Sequence, residues 1–367
     1  MEQKIFCTNC DRAIDGDERI YTVHGERICE DCADSKTVIC DRCGERIWDC
    51  ENEGDENITL CTSCYDNYYT TCENCEAVIN TDEANYDDDD RAYCDECYDK
   101  NCRSIHNYGY KPEPIFYGSG DRFFGVELEI DDGGKLSDNA DIILAAGNSD
   151  AEHIYIKADG SLERGMEIVT HPMTLDYHKN HMPWHEIMQA AIRLGYHSHK
   201  TDTCGLHIHV NKNSLGDTRE LQEERISRIL YFVEHHWEEL LKFSRRTEYQ
   251  MDRWAARYWY KNDPSEMIEH AKKSGKGRHS CVNITNYDTI EFRMFRGTLK
   301  LNSLIAAIQL VEIICEMAIT FGDTEIKSIG WTEFAESIDA QEYPELITYL
   351  KERRLYVNEP VESEEDV

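Results

Sequence analysis

Short runs of alternating apolar and polar residues begin at Arg122 and predict β-strands. In the segment FGVELEI, apolar side chains would cover one face of the strand, and Glu127 and Glu129 would lie on the other. Three later segments repeat this design, so we predict an antiparallel sheet with one apolar and one polar face. Besides those two glutamates, the predicted polar face carries Glu163, Glu167, His207, His209, Glu291, Arg293 and Phe295. Strict alternation puts Arg296 on the apolar face.

Longer segments with helical periodicity predict the elements that cover the apolar face. Residues 221–246 carry an apolar stripe, and residues 183–195 form a shorter amphipathic segment. Residues 301–321 are apolar on nearly all sides, which is typical of a buried helix. The predicted fold class is therefore α+β, with helices packed on one side of an antiparallel sheet.

The first hundred residues lack long apolar runs and instead repeat a pattern of cysteines about every 32 residues. Each repeat contains two CxxC turns, and two such turns can complete a closed tetrahedron of thiolates, the geometry of structural zinc. The sequence therefore predicts three small zinc-binding modules whose metal ions replace a conventional core. The predicted ligands are Cys7, Cys10, Cys29 and Cys32, then Cys40, Cys43, Cys61 and Cys64, then Cys72, Cys75, Cys94 and Cys97.

Composition divides the chain into a cysteine-rich first part and a regular second part. The segment between them is rich in Gly, Pro and Tyr, which favours a linker. The predicted boundaries are 1–105 for the zinc modules (about 5–35, 38–68 and 70–101), 106–121 for the linker, 122–325 for the main domain and 326–367 for a helical extension with an acidic, disordered tail.

The formal net charge of −34, from 73 acidic and 39 basic residues, disfavours binding to nucleic acid. The N-terminus has no apolar signal segment, and we find no uninterrupted apolar run of about 18 residues, so we expect no membrane association and a cytoplasmic location. In that compartment, the 17 cysteines are expected to be metal ligands or free thiols rather than disulfides.

Clustered carboxylates on one sheet face would repel one another unless divalent cations neutralised them, and carboxylate-rich sites favour Mg²⁺ or Mn²⁺. An ordinary solvated face remains the alternative for any single pair. Basic residues that could contact phosphate interrupt the acidic background, although a solvated loop would also explain them. They are Arg245, Arg246, Lys276 and Arg278.

Four motifs resemble the amidoligase family of carboxylate–amine ligases, which is related to glutamate–cysteine ligase and glutamine synthetase. They are FGVELEI, KADGSLERGMEIVTHP, CGLHIHVN and VNITNYDTIEFRMFRGTL, in this order over residues 122–320. The resemblance implies a glutamine-synthetase-like sheet, ATP as a substrate and two or more Mg²⁺ or Mn²⁺ ions. Such domains occur in bacterial and phage genomes. The cysteine repeats resemble LIM-type or treble-clef zinc fingers and lie outside the family pattern.

By motif position, the resemblance also implies roles for individual side chains. One metal ion would be held by Glu127, Glu291 and one of His207 or His209, and the other by Glu129, Glu167 and Glu163. Arg293 would offset charge on the transferred phosphoryl group, so Arg293, Glu291 and Glu127 are the candidate catalytic residues.

The sequence therefore predicts an ATP-dependent carboxylate–amine ligase that acts through an acyl phosphate. Its substrate would be an amino acid, a peptide or a protein, and the zinc fingers would dock the substrate or a protein partner. Two alternatives stay open: a metal-dependent phosphoester hydrolase that uses the same carboxylates, and an adaptor whose ligase-like domain is not catalytic.

Overall fold

A computed structural model describes residues 5–86, 90–101 and 104–356. The chain divides into two compact units, Met1–Arg103 and Ser104–Val367. The predicted acidic tail, EPVESEEDV at residues 359–367, lies outside the described residues.

The first unit consists of short antiparallel ribbons, each pairing consecutive strands, and three helices. The strands are Ile5–Phe6 (β1), Ala13–Ile14 (β2), Tyr21–Val23 (β3), Glu26–Ile28 (β4), Thr37–Ile39 (β5), Arg46–Trp48 (β6), Tyr69–Thr71 (β7), Val78–Asn80 (β8), Asn85–Tyr86 (β9) and Ala92–Tyr93 (β10). The helices are Glu30–Lys36 (α1), Thr62–Tyr68 (α2) and Asp95–Asn101 (α3). Three small apolar clusters, each containing cysteines, take the place of one continuous core.

The second unit is built on a six-stranded antiparallel sheet with helices on its apolar face. The strands are Phe124–Ile130 (β11), Ile154–Lys157 (β12), Met166–Thr170 (β13), Gly205–Asn211 (β14), Val282–Asn283 (β15) and Thr289–Arg296 (β16), in the spatial order β12-β13-β11-β14-β16-β15. The helices are Ser137–Gly147 (α4), Leu175–Asn180 (α5), Trp184–Arg193 (α6), Arg219–His235 (α7), Trp237–Ser244 (α8), Glu248–Trp254 (α9), Pro264–Lys273 (α10), Leu301–Thr320 (α11), Asp323–Ser328 (α12), Trp331–Ser337 (α13) and Pro344–Glu352 (α14). The predicted fold class is confirmed.

The core of the second unit lies between the apolar face of the sheet and these helices. Val126, Leu128, Ile208 and Phe292 are fully buried there. Helix α11 is the one described helix that is long and apolar enough to cross a membrane, but 72% of its most apolar window is buried within the protein. Its composition is therefore that of a core helix.

The segment 106–121, which the sequence predicts as a linker, instead packs on the second unit. The backbone N–H of His106 donates to the carbonyl of Ile156 at 2.8 Å, and that of Tyr117 donates to the carbonyl of Pro172 at 3.0 Å. These bonds satisfy backbone groups at the edge of the sheet, which explains why the segment is held in place. The helices after residue 325 also contribute to the same core, through Trp331 and Leu346.

A β-bulge in β16 changes which side chains reach the polar face. It lies between the pairs Leu206–Phe295 and Ile208–Phe292 and gives β16 one extra residue opposite β14. One extra residue reverses the alternation, so Phe295 joins the apolar face and Arg296 the polar face. The predictions for Phe295 and Arg296 are therefore wrong, because both assumed an unbroken strand.

Asp131 ties the end of β11 to the two loops that lead into β13 and β14. Its carboxylate accepts hydrogen bonds from the backbone N–H groups of Asp132, Arg164 and Glu163 at 2.9, 2.7 and 3.0 Å, and from the Thr203 hydroxyl at 2.8 Å. Burial opposes ionisation, but these donors outweigh it and lower the pKa of Asp131. The carboxylate thus fixes the strand ends that present the polar face.

We expect Asp131→Asn to lower the free energy of unfolding by about 2–3 kcal/mol, because an amide NH₂ would face donors that now meet an oxygen. Chemical denaturation of the full chain measures this, with the exposed Asp252→Asn on α9 as the matched control. Because the folded-state pKa is lowered, the stabilisation by ionised Asp131 is present above about pH 3.9, the ordinary value, and is lost as the pH falls through the folded value. A difference between the two variants that stayed constant through that range would contradict this role.

Candidate metal centres and active site

The predicted cysteine ligands meet in three separate groups of four, one in each module of the first unit. In each module the first CxxC pair lies on a turn, and the residue directly after its second cysteine has a left-handed backbone conformation. These residues are Asp11, Gly44 and Glu76. The second pair begins a helix, as at Cys29 before α1 and Cys61 before α2. At the start of α2, the Sγ of Cys61 accepts a hydrogen bond from the backbone N–H of Cys64 at 3.4 Å.

The spacing of the sulfur atoms fits a tetrahedral metal ion. The Sγ atoms of the neighbouring ligands are 3.8 Å apart in all three modules, in the pairs Cys10–Cys29, Cys43–Cys61 and Cys75–Cys94. A tetrahedron with Zn–S bonds of about 2.3 Å gives nearly the same separation. Burial opposes ionisation of the first cysteine of each module, but backbone N–H groups outweigh it and lower the pKa of these thiols to about 6. Zinc therefore fits all three sites.

The polar face of the second unit brings most of the predicted acidic ligands together. Strand register places Glu127 opposite His207, Glu129 opposite Glu167, and His209 opposite Glu291. Two groups of ligand atoms result, each with all its atoms within 4.8 Å of one another. The first carboxylate cluster is Glu127, His207 and Glu291, and the second carboxylate cluster is Glu129, Glu167 and His207.

His207 belongs to both carboxylate clusters because its two ring nitrogens face different carboxylates. Its Nδ1 lies 3.2 Å from Glu127 and 3.7 Å from Glu291, while its Nε2 lies 3.9 Å from Glu129. His209 shares the face, with its Nε2 3.3 Å from Glu127, but joins neither cluster. Of the two histidines that the sequence left open, the geometry favours His207 as the ligand.

The buried carboxylates have opposite tendencies to ionise. Burial favours the protonated form of Glu127, but His209 and His207 outweigh it and hold its pKa well below the usual range. Burial and the charge of Glu127 raise the pKa of Glu167 well above its usual range. Burial also raises the pKa of Glu129, against the influence of His207. Burial and mutual repulsion thus oppose ionisation of part of this set, and hard divalent cations bound among the carboxylates would relieve both effects.

Two cationic side chains border the carboxylate clusters. Arg293 was predicted to lie on the polar face, and it donates a hydrogen bond to Glu291 there. Lys157, which sequence reasoning missed, is buried and lies 3.1 Å from Glu167 and 3.9 Å from Glu127. Only the pairing of β12 with β13 brings this lysine to the site, so no local motif could have identified it.

Glu163 is exposed and joins neither carboxylate cluster. It precedes β13, which begins at Met166, and its backbone N–H is bound by Asp131, so the chain turns before Glu163 could align with Glu167. The prediction that Glu163 and Glu167 share a strand face is therefore wrong.

The four predicted phosphate-binding residues lie in three different places. Arg246 is buried and hydrogen-bonds the carbonyl of Phe295, whereas Arg245 lies beside it in a left-handed conformation. The Lys276 ammonium donates to the carbonyl of Arg257 at 2.6 Å, which is a structural contact. Arg278 donates to the hydroxyl of Tyr108 at 2.8 Å, and the Tyr108 ring lies 5.9 Å from the Lys157 ammonium. The shared contact with Tyr108 thus places Arg278 near Lys157, which borders the carboxylate clusters.

Residues 144–315 match the family model described as "Putative amidoligase enzyme". The resemblance to the amidoligase family is confirmed. The match includes three cluster residues of the amidoligase-like unit, Glu167, His207 and Glu291, while Glu127 and Glu129 precede it and join them through the pairing of β11. No curated protein sequence matches the chain.

Two solved structures share partial similarity with the chain. A bifunctional glutathione synthetase from Pasteurella multocida is 14% identical over 64% of this chain and 46% of its own, with a TM-score of 0.32. The chain thus spans less than half the length of that enzyme. GmaS in its apo form, without ligand, is 14% identical over 64% of this chain and 68% of its own, with a TM-score of 0.34.

Elemental analysis of protein purified under reducing conditions should find about three zinc ions per chain, because three closed sites are present. Cys7→Ser should lower the ratio to about two by opening one site. The matched control is Cys50→Ser, since Cys50 is exposed and outside all three groups. A ratio near zero or one in the unmodified protein would contradict the assignment.

Titration of the full chain with Mn²⁺, followed by electron paramagnetic resonance, should show binding that depends on the carboxylate clusters. Glu127→Gln or Glu291→Gln should weaken this binding at least about tenfold, because each removes a charged ligand atom from the first carboxylate cluster. Glu163→Gln is the matched control and should leave it unchanged. Equal affinity in all variants would mean that Mn²⁺ binds elsewhere.

Proposed function

We propose that the second unit is an ATP-dependent carboxylate–amine ligase. The observation that carries the proposal is the pair of carboxylate clusters that share His207 on one sheet face, beside Arg293. The family match agrees with this chemistry. The substrates would be an acid and an amine, supplied as amino acids, peptides or a protein.

The reaction would proceed in two balanced steps. A carboxylate oxygen of the acid attacks the γ-phosphorus of ATP, so that ADP leaves and an acyl phosphate forms. The amine nitrogen then attacks the acyl carbon and loses a proton, and inorganic phosphate leaves with the carboxylate oxygen. The sum is acid, amine and ATP giving amide, ADP and phosphate.

The side chains of the polar face suit this chemistry. Mg²⁺ or Mn²⁺, held by the two carboxylate clusters, would neutralise phosphate oxygens during phosphoryl transfer. The Arg293 guanidinium lies beside Glu291, where it can offset charge that develops on the transferred phosphoryl group. The Lys157 ammonium, held between Glu127 and Glu167, keeps those carboxylates in place and limits their repulsion.

A cavity of about 900 Å³ adjoins the first carboxylate cluster and is large enough for a nucleotide. Asn286 lines it and donates to Glu291 at 3.3 Å, so the cavity and the cluster share a wall. Lys212, Arg219 and Lys272 also line it, and Glu223, which pairs with Arg219 and Lys272, offsets part of their charge. We therefore place ATP in this cavity, with its phosphates directed towards Glu291.

The zinc modules would serve docking rather than chemistry, because four cysteines close each site and leave no open position. Exposed aromatic side chains in this unit, such as Phe6, Tyr68 and Tyr86, are of the kind that protein partners contact. A protein substrate or partner bound by the modules would leave the chemistry of the second unit unchanged.

Incubation with ATP, Mg²⁺ and pooled acids and amines should yield ADP and phosphate in equal amounts, together with a condensed product detected by its mass. The double variant Glu127→Gln/Glu291→Gln should lose turnover while keeping its fold. Arg293→Ala should lower kcat about 100-fold with a smaller change in KM, since its charge acts mainly in the transition state.

Two controls separate the ligase from its alternatives. Cys7→Ser should leave turnover of a small substrate nearly intact, because the zinc sites lie outside the amidoligase-like unit. AMP as the stoichiometric product, or full activity of the double variant, would rule out the proposed route. Phosphate release without a condensed product would favour the phosphoester hydrolase.

A further inference from the structure

A second cavity, of about 450 Å³, lies at the end of the sheet where β16 and α8 terminate, and its lining is strongly basic. We call it the arginine pocket, after Arg245, Arg246, Arg296 and Arg353. Among its described lining residues, Glu238 is the one carboxylate. In a chain with a formal net charge of −34, such a concentration of guanidinium groups is unexpected for an ordinary surface.

Backbone carbonyls, rather than carboxylates, hold these arginines in place. Arg296 donates to the carbonyls of Thr201 and Arg245 at 3.1 and 3.4 Å, and Arg353 donates to the carbonyl of Lys242 at 3.1 Å. Within the described part of the chain, none of the four arginines has a carboxylate oxygen within 4.0 Å of its guanidinium nitrogens. The buried Nε of Arg296 also lacks a hydrogen-bond partner there. The positive charge is therefore fixed in position, and no ion pair offsets it within the described residues, although Glu129 attracts Arg246 at longer range.

The positive charge of these side chains affects the pKa of a neighbouring histidine, His199. Burial, together with Arg245, Arg296 and Arg353, lowers the pKa of His199 to about 4. His199 also lines the cavity, so it contributes a neutral imidazole at physiological pH. The arginine pocket therefore has a positive electrostatic potential, which would stabilise a bound anion.

Arg246 connects the arginine pocket to the second carboxylate cluster. A Cβ atom placed on Gly205 would lie 2.3 Å from Nη2 of Arg246, 2.9 Å from Nε2 of His207 and 3.3 Å from Oε2 of Glu129. All three side chains therefore converge on the space that Gly205 leaves open. A ligand with two separated charges could reach the pocket with one and the cluster with the other.

We propose that the arginine pocket binds a second carboxylate of the acid substrate, so that this substrate is a dicarboxylic acid. The inference rests on the proposed ligase function and specifies its substrate class. Planar guanidinium groups match the two oxygens of a carboxylate better than ammonium groups do. We assigned the larger cavity beside the first carboxylate cluster to the nucleotide, which leaves the arginine pocket, beside the second carboxylate cluster, for the acid.

Calorimetric titration of the full chain in Mg²⁺ with matched acids tests this without any turnover. Succinate, glutarate and adipate would be compared with butyrate, pentanoate and hexanoate, which have the same chain lengths and one carboxylate. At least one diacid should bind about tenfold more tightly than its partner. Arg296→Gln should remove that difference, and the exposed Arg193→Gln on α6 should preserve it.

A second variant tests the proposal independently in case Arg296→Gln does not fold. Arg245→Asn keeps a residue that tolerates the left-handed backbone at this position, and it should also weaken the diacid about tenfold. Loss of affinity for a non-hydrolysable ATP analogue in either variant, with diacid binding unchanged, would overturn the proposal and assign the pocket to a nucleotide phosphate. Equal binding of diacids and monoacids would also overturn it. Diacid binding without ADP formation would instead contradict only the ligase function.

Discussion

Mutual repulsion among buried carboxylates is the constraint around which the second unit is organised. Four glutamates, Glu127, Glu129, Glu167 and Glu291, project from strands β11, β13 and β16 into one small region. Such an arrangement is unfavourable unless cations surround it. Histidine, lysine and arginine supply part of that positive charge, and we propose that divalent ions supply the rest. In this proposal, the same carboxylates that destabilise the folded chain by repulsion are the ligands of the metal ions.

Asp131 shows how the fold supports this arrangement without taking part in it. Three backbone N–H groups and a hydroxyl converge on one carboxylate, and they fix the loops that lead into β13 and β14. The zinc modules use a different principle, since covalent-like metal bonds replace a core that short ribbons cannot form. The chain thus combines a unit built around three groups of four cysteines with a unit whose hydrophobic core positions a charged face.

Local patterns in the sequence predicted much of this correctly. The cysteine spacing identified which cysteines meet in groups of four, because each CxxC turn is defined by four consecutive residues. Alternation likewise placed Glu127, His207 and Glu291 on one face. It failed at Arg296 and Phe295, because a bulge is set by pairing with β14 and leaves no mark within the strand itself.

Other errors had the same origin in contacts between distant segments. Lys157 reaches the carboxylates only because β12 pairs with β13, and Glu163 turns away because Asp131 binds its backbone. The arginine pocket draws on residues from β16, α8 and the end of α14, which no single motif contains. Individual strands could be predicted from sequence, whereas the charges that surround them required the folded chain.

The central claim is that the two carboxylate clusters hold divalent cations next to the reacting groups. Crystals grown with Mn²⁺ and a non-hydrolysable ATP analogue, measured at the manganese absorption edge, test it most directly. The account predicts anomalous peaks among Glu127, His207 and Glu291 and among Glu129, Glu167 and His207, with phosphate density beside the first peak. Full occupancy by the nucleotide analogue without anomalous density at either cluster would contradict it.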